Sequence, residues 1–426
     1  MLAKVPKGMK DVLPAESARW RAMEAAMRET ALLAGYREIR TPVLEHTSLF
    51  TRAAGETSDV VRKEMYTFLD KGDRSLTLKP ESTAAVVRAV LESGLYAQAL
   101  PLKLYYVNTP HFRYEAPQSG RLREHHQFGL ECFGAAQATA DAELIILAMS
   151  LLAGLGLQKL KVRINSIGCS LCRPTYQQKL RDYLNNKRNK LCRNCQERIQ
   201  TNPMRVLDCK VDSCIAELQD VPVMLNFLCE DCHYHFEQLQ TYLSAIPIRY
   251  TTDPRIVRGL DYYTKTVFEI TTETQNDVLS VCGGGRYDGL VEELGGPSMP
   301  AAGFGMGMER VLMLLDQLYE EDHRLVIQEE SPEVMVTYLS QKLAPLAFSL
   351  VGSFRTAGIR ADMDHQGRSL KAQFKYADKL RAKFVAVLGD DEVTKGTVKL
   401  RDMHTKEEWE VELGIAPQAI RLRIGH

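Results

Sequence analysis

The chain has 426 residues, 45% of them hydrophobic and 25% charged, which is enough apolar side chain for more than one core and predicts two or three domains. No stretch approaches the roughly 18 consecutive apolar residues of a membrane-spanning helix, and the opening Met1-Leu-Ala-Lys-Val-Pro-Lys-Gly8 lacks the apolar core of an export signal. With 54 basic against 54 acidic residues the formal charge is zero, so a coat for polyanions is excluded while local basic faces are not.

The first helix is expected after Pro14 with Ser17 as its cap, because Trp20, Met23, Met27 and Ala31 recur at helical spacing until Gly35. Asp141 to Leu155 predicts a largely buried helix ended by Gly154 and Gly156. Lys161 to Ser166 alternates with period two, as a strand with one buried face does. Between Gly168 and His235 lie eight of the ten cysteines, which marks residues 168–245 as an inserted module. Strand patterning resumes at Thr266–Ile270. The triple glycine at 283–285 marks a turn or a close backbone approach, and a helix should run from Met306 to about Tyr319. The acidic stretch up to Pro332 predicts a linker at 326–332 between a first unit, 1–325, and a second, 333–426. In the second unit Val334–Tyr338, Phe384–Leu388 and Val398–Asp402 read as strands and Ser369–Lys383 as a helix, a small α/β domain.

Three groups of residues point to chemistry. Arg113, Arg121 and Arg123 flank the glycine-containing turn between Phe112-Arg-Tyr-Glu115 and Gly120-Arg-Leu-Arg-Glu-His-His-Gln127. Guanidinium forks match phosphate oxygens, although a hairpin with a solvated charged turn has the same composition. Gln127, Gly129 and Glu131 alternate along the strand that follows, so Gln127 and Glu131 share a face.

Cys169/Cys172, Cys192/Cys195 and Cys229/Cys232 are Cys-x-x-Cys pairs, and Cys209 and Cys214 form a fourth pair. This is the spacing of structural zinc sites, and eight thiolates suffice for two Cys₄ shells. Which pairs combine is open, as is replacement of a thiolate by His233 or His235. Ten cysteines without an export signal also predict a reducing compartment, by default the cytosol. Finally, Arg368 to Lys383 holds six basic residues and one acidic. Lys371, Lys375 and Lys379 recur every four residues on one helix face, with Leu370, Phe374 and Ala377 expected to pack inward.

In order along the chain these segments resemble one family. Thr41-Pro-Val-Leu-Glu45 resembles motif 1 of class II aminoacyl-tRNA synthetases, the arginine-rich hairpin resembles motif 2, and Gly303-Phe-Gly-Met-Gly-Met-Glu-Arg310 resembles motif 3. Arg258-Gly-Leu-Asp-Tyr-Tyr263 is similar to the signature of histidyl-tRNA synthetases, and Thr77-Leu-Lys-Pro-Glu-Ser-Thr83 and Cys282-Gly-Gly-Gly-Arg-Tyr-Asp-Gly289 complete the likeness. The resemblance implies an α+β class II catalytic domain, an antiparallel sheet flanked by helices. It also implies that the Cys-rich module is the family's insertion domain over the tRNA acceptor stem, and that an α/β anticodon-binding domain ends the chain. A cytoplasmic homodimer, with motif 1 at its interface, is implied as well.

The implied reaction joins L-histidine to ATP, with Mg²⁺ on the phosphates, and then transfers histidine to the 3′ end of tRNA-His. By resemblance Arg113 holds the α-phosphate, and Arg258 lies between that phosphate and the histidine carboxylate. Glu115 lies near the adenine, Arg310 holds the γ-phosphate, and His125 stands where the family usually has a phenylalanine stacked on adenine. Glu81, Thr83 and Gln127 surround the amino group, Glu131 and Tyr263 meet the imidazole nitrogens, and Tyr262 lines the same pocket. Gln118 and Arg121 are candidates for the tRNA acceptor end, and Lys371, Lys375 and Lys379 for the anticodon side. The alternative is a synthetase-like regulatory subunit of histidine biosynthesis, which binds histidine without charging tRNA. Such paralogues lack the anticodon domain and part of the arginine set, whereas Arg113, Arg258 and Arg310 are all present here.

Overall fold

A computed structural model describes residues 3–55, 58–114, 120, 122–273, 278–322 and 331–424. The chain divides into two compact units, Met1–Leu325 and Val326–His426.

The first unit opens with α1 (Pro14–Leu33), whose inward stripe of Met23, Met27 and Ala31 is buried. Leu13, not Ser17, occupies the capping position; the Ser17 hydroxyl lies inside the first turn and donates to the Leu13 carbonyl at 3.1 Å. Pro14 suits that start because its missing N–H has no partner in a first turn. Gly35, at φ +78°, turns the chain out of the helix into β1 (Arg37–Glu38). Next come β2 (Leu44–His46), α2 (Thr47–Ala54), β3 (Tyr66–Leu69), β4 (Ser75–Leu78) and α3 (Thr83–Glu92). Strands β2, β4 and β3 form a small antiparallel sheet in that order.

The long hairpin β5 (Leu102–Phe112) and β6 (Glu124–Phe133) leads to α4 (Ala138–Gly154) and β7 (Leu160–Ser166). The Cys-rich segment that follows is helical: α5 (Arg173–Asn186), α6 (Arg193–Thr201), α7 (Asp212–Glu217) and α8 (Glu230–Ser244). Tyr176, Leu180 and Leu184, spaced one turn apart, bury the inner face of α5. The unit closes with β8 (Tyr250–Thr252), β9 (Thr264–Glu273), β10 (Val278–Arg286), α9 (Leu290–Glu293), β11 (Ala301–Gly307) and α10 (Met308–Asp322).

Among the described residues eight strands form one sheet in the order β1-β5-β6-β11-β10-β9-β7-β8. Its interior is antiparallel, with a parallel strand at each edge. The two faces differ because side chains alternate along each strand. Phe128 and Leu130 of β6, Phe268 and Ile270 of β9, and Phe304 and Met306 of β11 pack into one core with α1, α4, α8 and α10. The other face carries a second core with α2, α3 and the module, and it is there that the site lies.

Three expectations change in detail. The triple glycine lies within strand β10 and is not a turn. The closing helix starts at Met308, after a strand, and extends to Asp322, three residues past the expected end at Tyr319; residues 323–330 lie outside the described residues. In β7 the one-sided pattern ends early, because Asn165 and Ser166 are both buried, with Asn165 Nδ2 donating to the Ile256 carbonyl at 3.0 Å.

The second unit holds β12 (Val334–Tyr338), α11 (Ala344–Thr356), β13 (Ala361–Met363), α12 (Leu370–Lys379), β14 (Phe384–Leu388), α13 (Asp390–Lys395), β15 (Thr397–Asp402), β16 (Glu408–Glu412) and α14 (Ala416–Ile424). Its sheet has the order β13-β12-β14-β15-β16, parallel among the first three strands and antiparallel beyond. Helices α11 and α14 cover one face, and Ala377 of α12 packs on the other against Met335 and Val385.

Candidate active site and thiolate centres

The open face of the large sheet is floored by glycines. In β11, Phe304 and Met306 face the helical core, which leaves Gly303 and Gly305 on the site side. A Cβ at Gly303 would overlap the Glu131 carboxylate, and one at Gly283 would overlap the Arg258 guanidinium. The glycine-rich strands therefore make room for functional side chains.

Glu131 stands at the centre, 1% exposed. Its carboxylate accepts hydrogen bonds from Thr83 Oγ1 at 2.9 Å and from the Tyr287 hydroxyl. Burial pushes its carboxyl up to about 8, against the lowering effect of those hydroxyls. Glu81, also buried, accepts the N–H groups of Thr83 (2.7 Å) and Ala84 (2.9 Å), which are free donors of the first turn of α3. Tyr262 extends its hydroxyl to Glu81 at 3.4 Å, and the Tyr262 and Tyr263 rings lie 4.7 Å apart. Burial raises the Glu81 carboxyl, with the Arg113 charge acting in the opposite direction.

Around this pocket stand the cations. Arg113 donates through Nε to the Pro80 carbonyl (3.0 Å) and lies 3.7 Å from Glu64. Arg258 lies over the Tyr263 ring at 6.0 Å and 3.9 Å from Glu269, and its Nε is buried without a hydrogen-bond partner among the described residues. Arg310 donates to the Ser280 carbonyl at 2.7 Å, with Gly120 of the hairpin turn 3.0 Å from its side chain measured from an ideal Cβ. Gln127 lies on the same face of β6 as Glu131, against Gly305. His125 stacks on His111 with ring centroids 5.5 Å apart. Burial drives the His111 imidazole well below its ordinary pKa, so His125 lies against a neutral ring.

The fold thus brings Glu81, Thr83, Glu131, Tyr262 and Tyr263 into one buried pocket and sets Arg113 and Arg258 near it. Glu115, Gln118 and Arg121 lie outside the described residues. Lys371, Lys375 and Lys379 are exposed on α12 of the second unit. Leu370 and Phe374 are half-buried there, and the deeply inward residues are Gln373 and Ala377. Gln373 accepts from the Tyr338 N–H and donates to the Tyr338 carbonyl, each at 3.0 Å, pairing with the end of β12 as a strand would.

Neither Tyr287 nor Tyr106, whose buried hydroxyl also hydrogen-bonds Glu131, has a role assigned to it from the sequence. Tyr287 belongs to the quoted Cys282–Gly289 segment, so its proximity to a glycine-rich strand was the available signal. Tyr106 had none.

The thiols resolve into two quartets, Cys169/Cys172/Cys229/Cys232 and Cys192/Cys195/Cys209/Cys214. Sulfur separations are 3.7 Å for Cys169–Cys172 and Cys169–Cys229, 3.8 Å for Cys172–Cys232 and 3.9 Å for Cys192–Cys209. Four thiolates about 2.3 Å from one tetrahedral zinc stand about 3.8 Å apart, so the donor sets fit that ion. Burial opposes ionisation of Cys169, but the N–H groups of Cys172 and Leu171 outweigh it and bring the thiol to about 7. His235 takes no part in either quartet; its Nε2 lies 3.4 Å from Asp141, and His233 faces Glu237 at 3.5 Å.

The sequence profile described as "Histidyl-tRNA synthetase" matches residues 8–311, and that of the "Anticodon binding domain" matches residues 333–422. Fold and profiles together define a class II aminoacyl-tRNA synthetase with a C-terminal anticodon-binding domain. The chain is 52% identical to the histidine–tRNA ligase of Caldanaerobacter subterraneus subsp. tengcongensis, over 99% of this chain and all of that one. It is 52% identical to the histidine–tRNA ligase of Thermoanaerobacter pseudethanolicus over the same shares. The crystal structure of apo S. aureus histidyl-tRNA synthetase superposes with a TM-score of 0.83 at 38% identity, covering 99% of this chain and 100% of that one. The chain belongs to the histidyl-tRNA synthetase family of aminoacyl-tRNA ligases.

Proposed function

We propose that the chain activates L-histidine with ATP and transfers it to tRNA-His, with the pocket around Glu131 selecting the imidazole. The observation that carries this reading is a buried carboxyl at about 8 among hydroxyl donors. Such a group can pass its proton to an arriving imidazole and then accept the imidazolium N–H as a carboxylate, and the surrounding hydroxyls remain to orient the ring. Glu81, Thr83 and Gln127 receive the substrate ammonium, and Tyr262 and Tyr263 close the sides.

In the first step a carboxylate oxygen of histidine attacks the α-phosphorus, the bond to the bridging oxygen of the β-phosphate breaks, and pyrophosphate leaves. Arg113 and Arg258 hold the charge shared by the carboxylate and the α-phosphate, and Arg310 holds the γ-phosphate. Positioning and charge stabilisation supply the catalysis. Mg²⁺ bound to the ATP phosphates neutralises part of their charge. In the second step a hydroxyl of the terminal ribose of tRNA attacks the histidyl carbonyl and AMP departs. Glu115, His125, Gln118 and Arg121 serve the nucleotide and acceptor side, and Lys371, Lys375 and Lys379 the anticodon side.

Zinc in the two thiolate quartets is structural, since four protein ligands leave no open position for substrate. The chain works as a homodimer in the cytoplasm. The exposed Leu44, Phe68 and Leu69 on the β2-β4-β3 sheet support pairing through motif 1, and thiolate ligands persist in a reducing compartment. No helix of the described residues is long and apolar enough to cross a membrane.

The deciding experiment is ATP–pyrophosphate exchange without tRNA, run with each amino acid in turn. Exchange with histidine alone is expected. Histidine binding without exchange would instead assign the chain to the regulatory paralogues.

A further inference from the structure

We propose that the Cys169/Cys172/Cys229/Cys232 quartet, as a zinc centre, sets the geometry of the histidine pocket through Arg173, which acts as a positioning residue. The inference rests on the pocket assigned above and adds to it a control from outside the pocket.

The two quartets occupy different places in the chain. The inner one draws all its ligands from residues 192–214, inside the module. The outer one draws Cys169 and Cys172 from the turn directly after β7, and Cys229 and Cys232 from the start of α8. It therefore clamps the two ends of the module where they meet the large sheet. The turn is shaped around sulfur: Gly168 has φ +67°, and a Cβ there would come within 2.6 Å of Cys172 Sγ.

Arg173 follows Cys172 and opens α5. Its Nη2 donates to the Tyr263 carbonyl at 2.6 Å and to the Gly168 carbonyl at 3.3 Å, and its Nε donates to the Ile167 carbonyl at 3.4 Å. Backbone bonds reinforce the join: the Lys265 N–H donates to Gly168 and the Ile167 N–H to Lys265, both at 2.8 Å. One guanidinium therefore ties the cysteine turn to the backbone of a pocket tyrosine. Cys172, the Asp261 carboxylate, Cys169 and Cys232 all act on that guanidinium electrostatically, against its burial. A tetrathiolate around a divalent ion keeps a net negative charge, so the filled centre holds Arg173 in place, and Arg173 in turn holds Tyr263. Partners one step outside a metal shell characteristically orient what lies beyond it.

The test uses the full-length protein as purified, with zinc content by mass spectrometry, histidine dissociation constants by calorimetry, and the KM values for histidine and ATP from exchange. The wild type should carry about two zinc ions per chain, one for each quartet. Arg173→Ala should keep both ions, weaken histidine binding and raise its KM about tenfold, and leave the ATP KM within about twofold. Arg173→Lys, which keeps a cation near the thiolates but loses the fork, should fall between the two and serves if the alanine variant does not fold. Wild-type histidine affinity in both variants overturns the proposal. So does a parallel loss of zinc, histidine affinity and ATP affinity, which marks general damage, and so does a wild type free of metal. Histidine binding without exchange in the wild type would overturn the ligase reading alone, because calorimetry still reports the Arg173 effect.

Discussion

Glu131 receives hydroxyls from Thr83 and Tyr287 in a site closed to water, and its protonation is set there and not by its neighbours in the chain. A carboxyl held up to about 8 when folded, against about 4.5 when unfolded, contributes stability that is full below the lower value. That contribution is lost as the pH rises toward 8, because the unfolded chain has already released the proton that the folded chain retains. Glu131→Gln removes the titration. Relative to wild type, the variant should therefore gain stability from pH 5 to pH 8, by at most about 1.4 kcal/mol per pH unit. Denaturant unfolding across that range checks this; parallel curves for the two proteins would contradict it. The same substitution removes a charged acceptor for the imidazole and should raise the histidine KM by roughly 10- to 100-fold.

Among the elements, β10 and α4 are locked by one buried ion pair. Arg286 is fully buried and meets Asp141, which is 1% exposed, in the first turn of α4. The guanidinium also donates to the Ala135 carbonyl at 2.8 Å and lies 3.1 Å from Asp288, so its donors are spread over the chain around α4 and the turn after β10. Removal of one partner leaves an uncompensated charge in the core. Asp141→Ala should destabilise the first unit by roughly 3–5 kcal/mol, measured by chemical denaturation. A loss below about 1 kcal/mol would show that Asp288 and the Ala135 carbonyl satisfy Arg286 without Asp141. The glycine strands show the complementary principle: their missing side chains admit Glu131 and Arg258 to the sheet surface.

For the whole molecule, a net charge of zero is compatible with binding a polyanion because the charge is unevenly placed. Lys371, Lys375 and Lys379 are all exposed on one helix of the second unit, while the adenylate chemistry belongs to the first. Replacing the three by alanine should raise the tRNA KM and flatten its dependence on salt by roughly two to three in log–log slope. Histidine-dependent exchange should be untouched. A variant with an unchanged salt slope would move the tRNA contact to another surface.

How much was legible in the sequence follows from the range of the interactions involved. Short-range rules found α1, α4, β7 and β9, because apolar periodicity records which face is buried. They misplaced the cap of α1 and left the glycines of β10 open between a turn and a close backbone approach, since a glycine in a strand and one in a turn look alike without a neighbour to fill the space. Gln127 and Glu131 could be set on one face of a strand by period alone. Tyr106, Tyr287 and Arg173 gave little or no signal, as their partners lie far along the chain. By itself the sequence determined the family, the motif order, the thiol pairs and the basic helix face, all of which are recorded in residue type and local spacing. Only the tertiary structure decided that Cys169 and Cys172 join Cys229 and Cys232, that Glu131 is buried enough to hold its proton, and that Arg173 reaches Tyr263. Those three depend on distance and on exclusion of water, which close packing creates between segments that the chain order keeps apart.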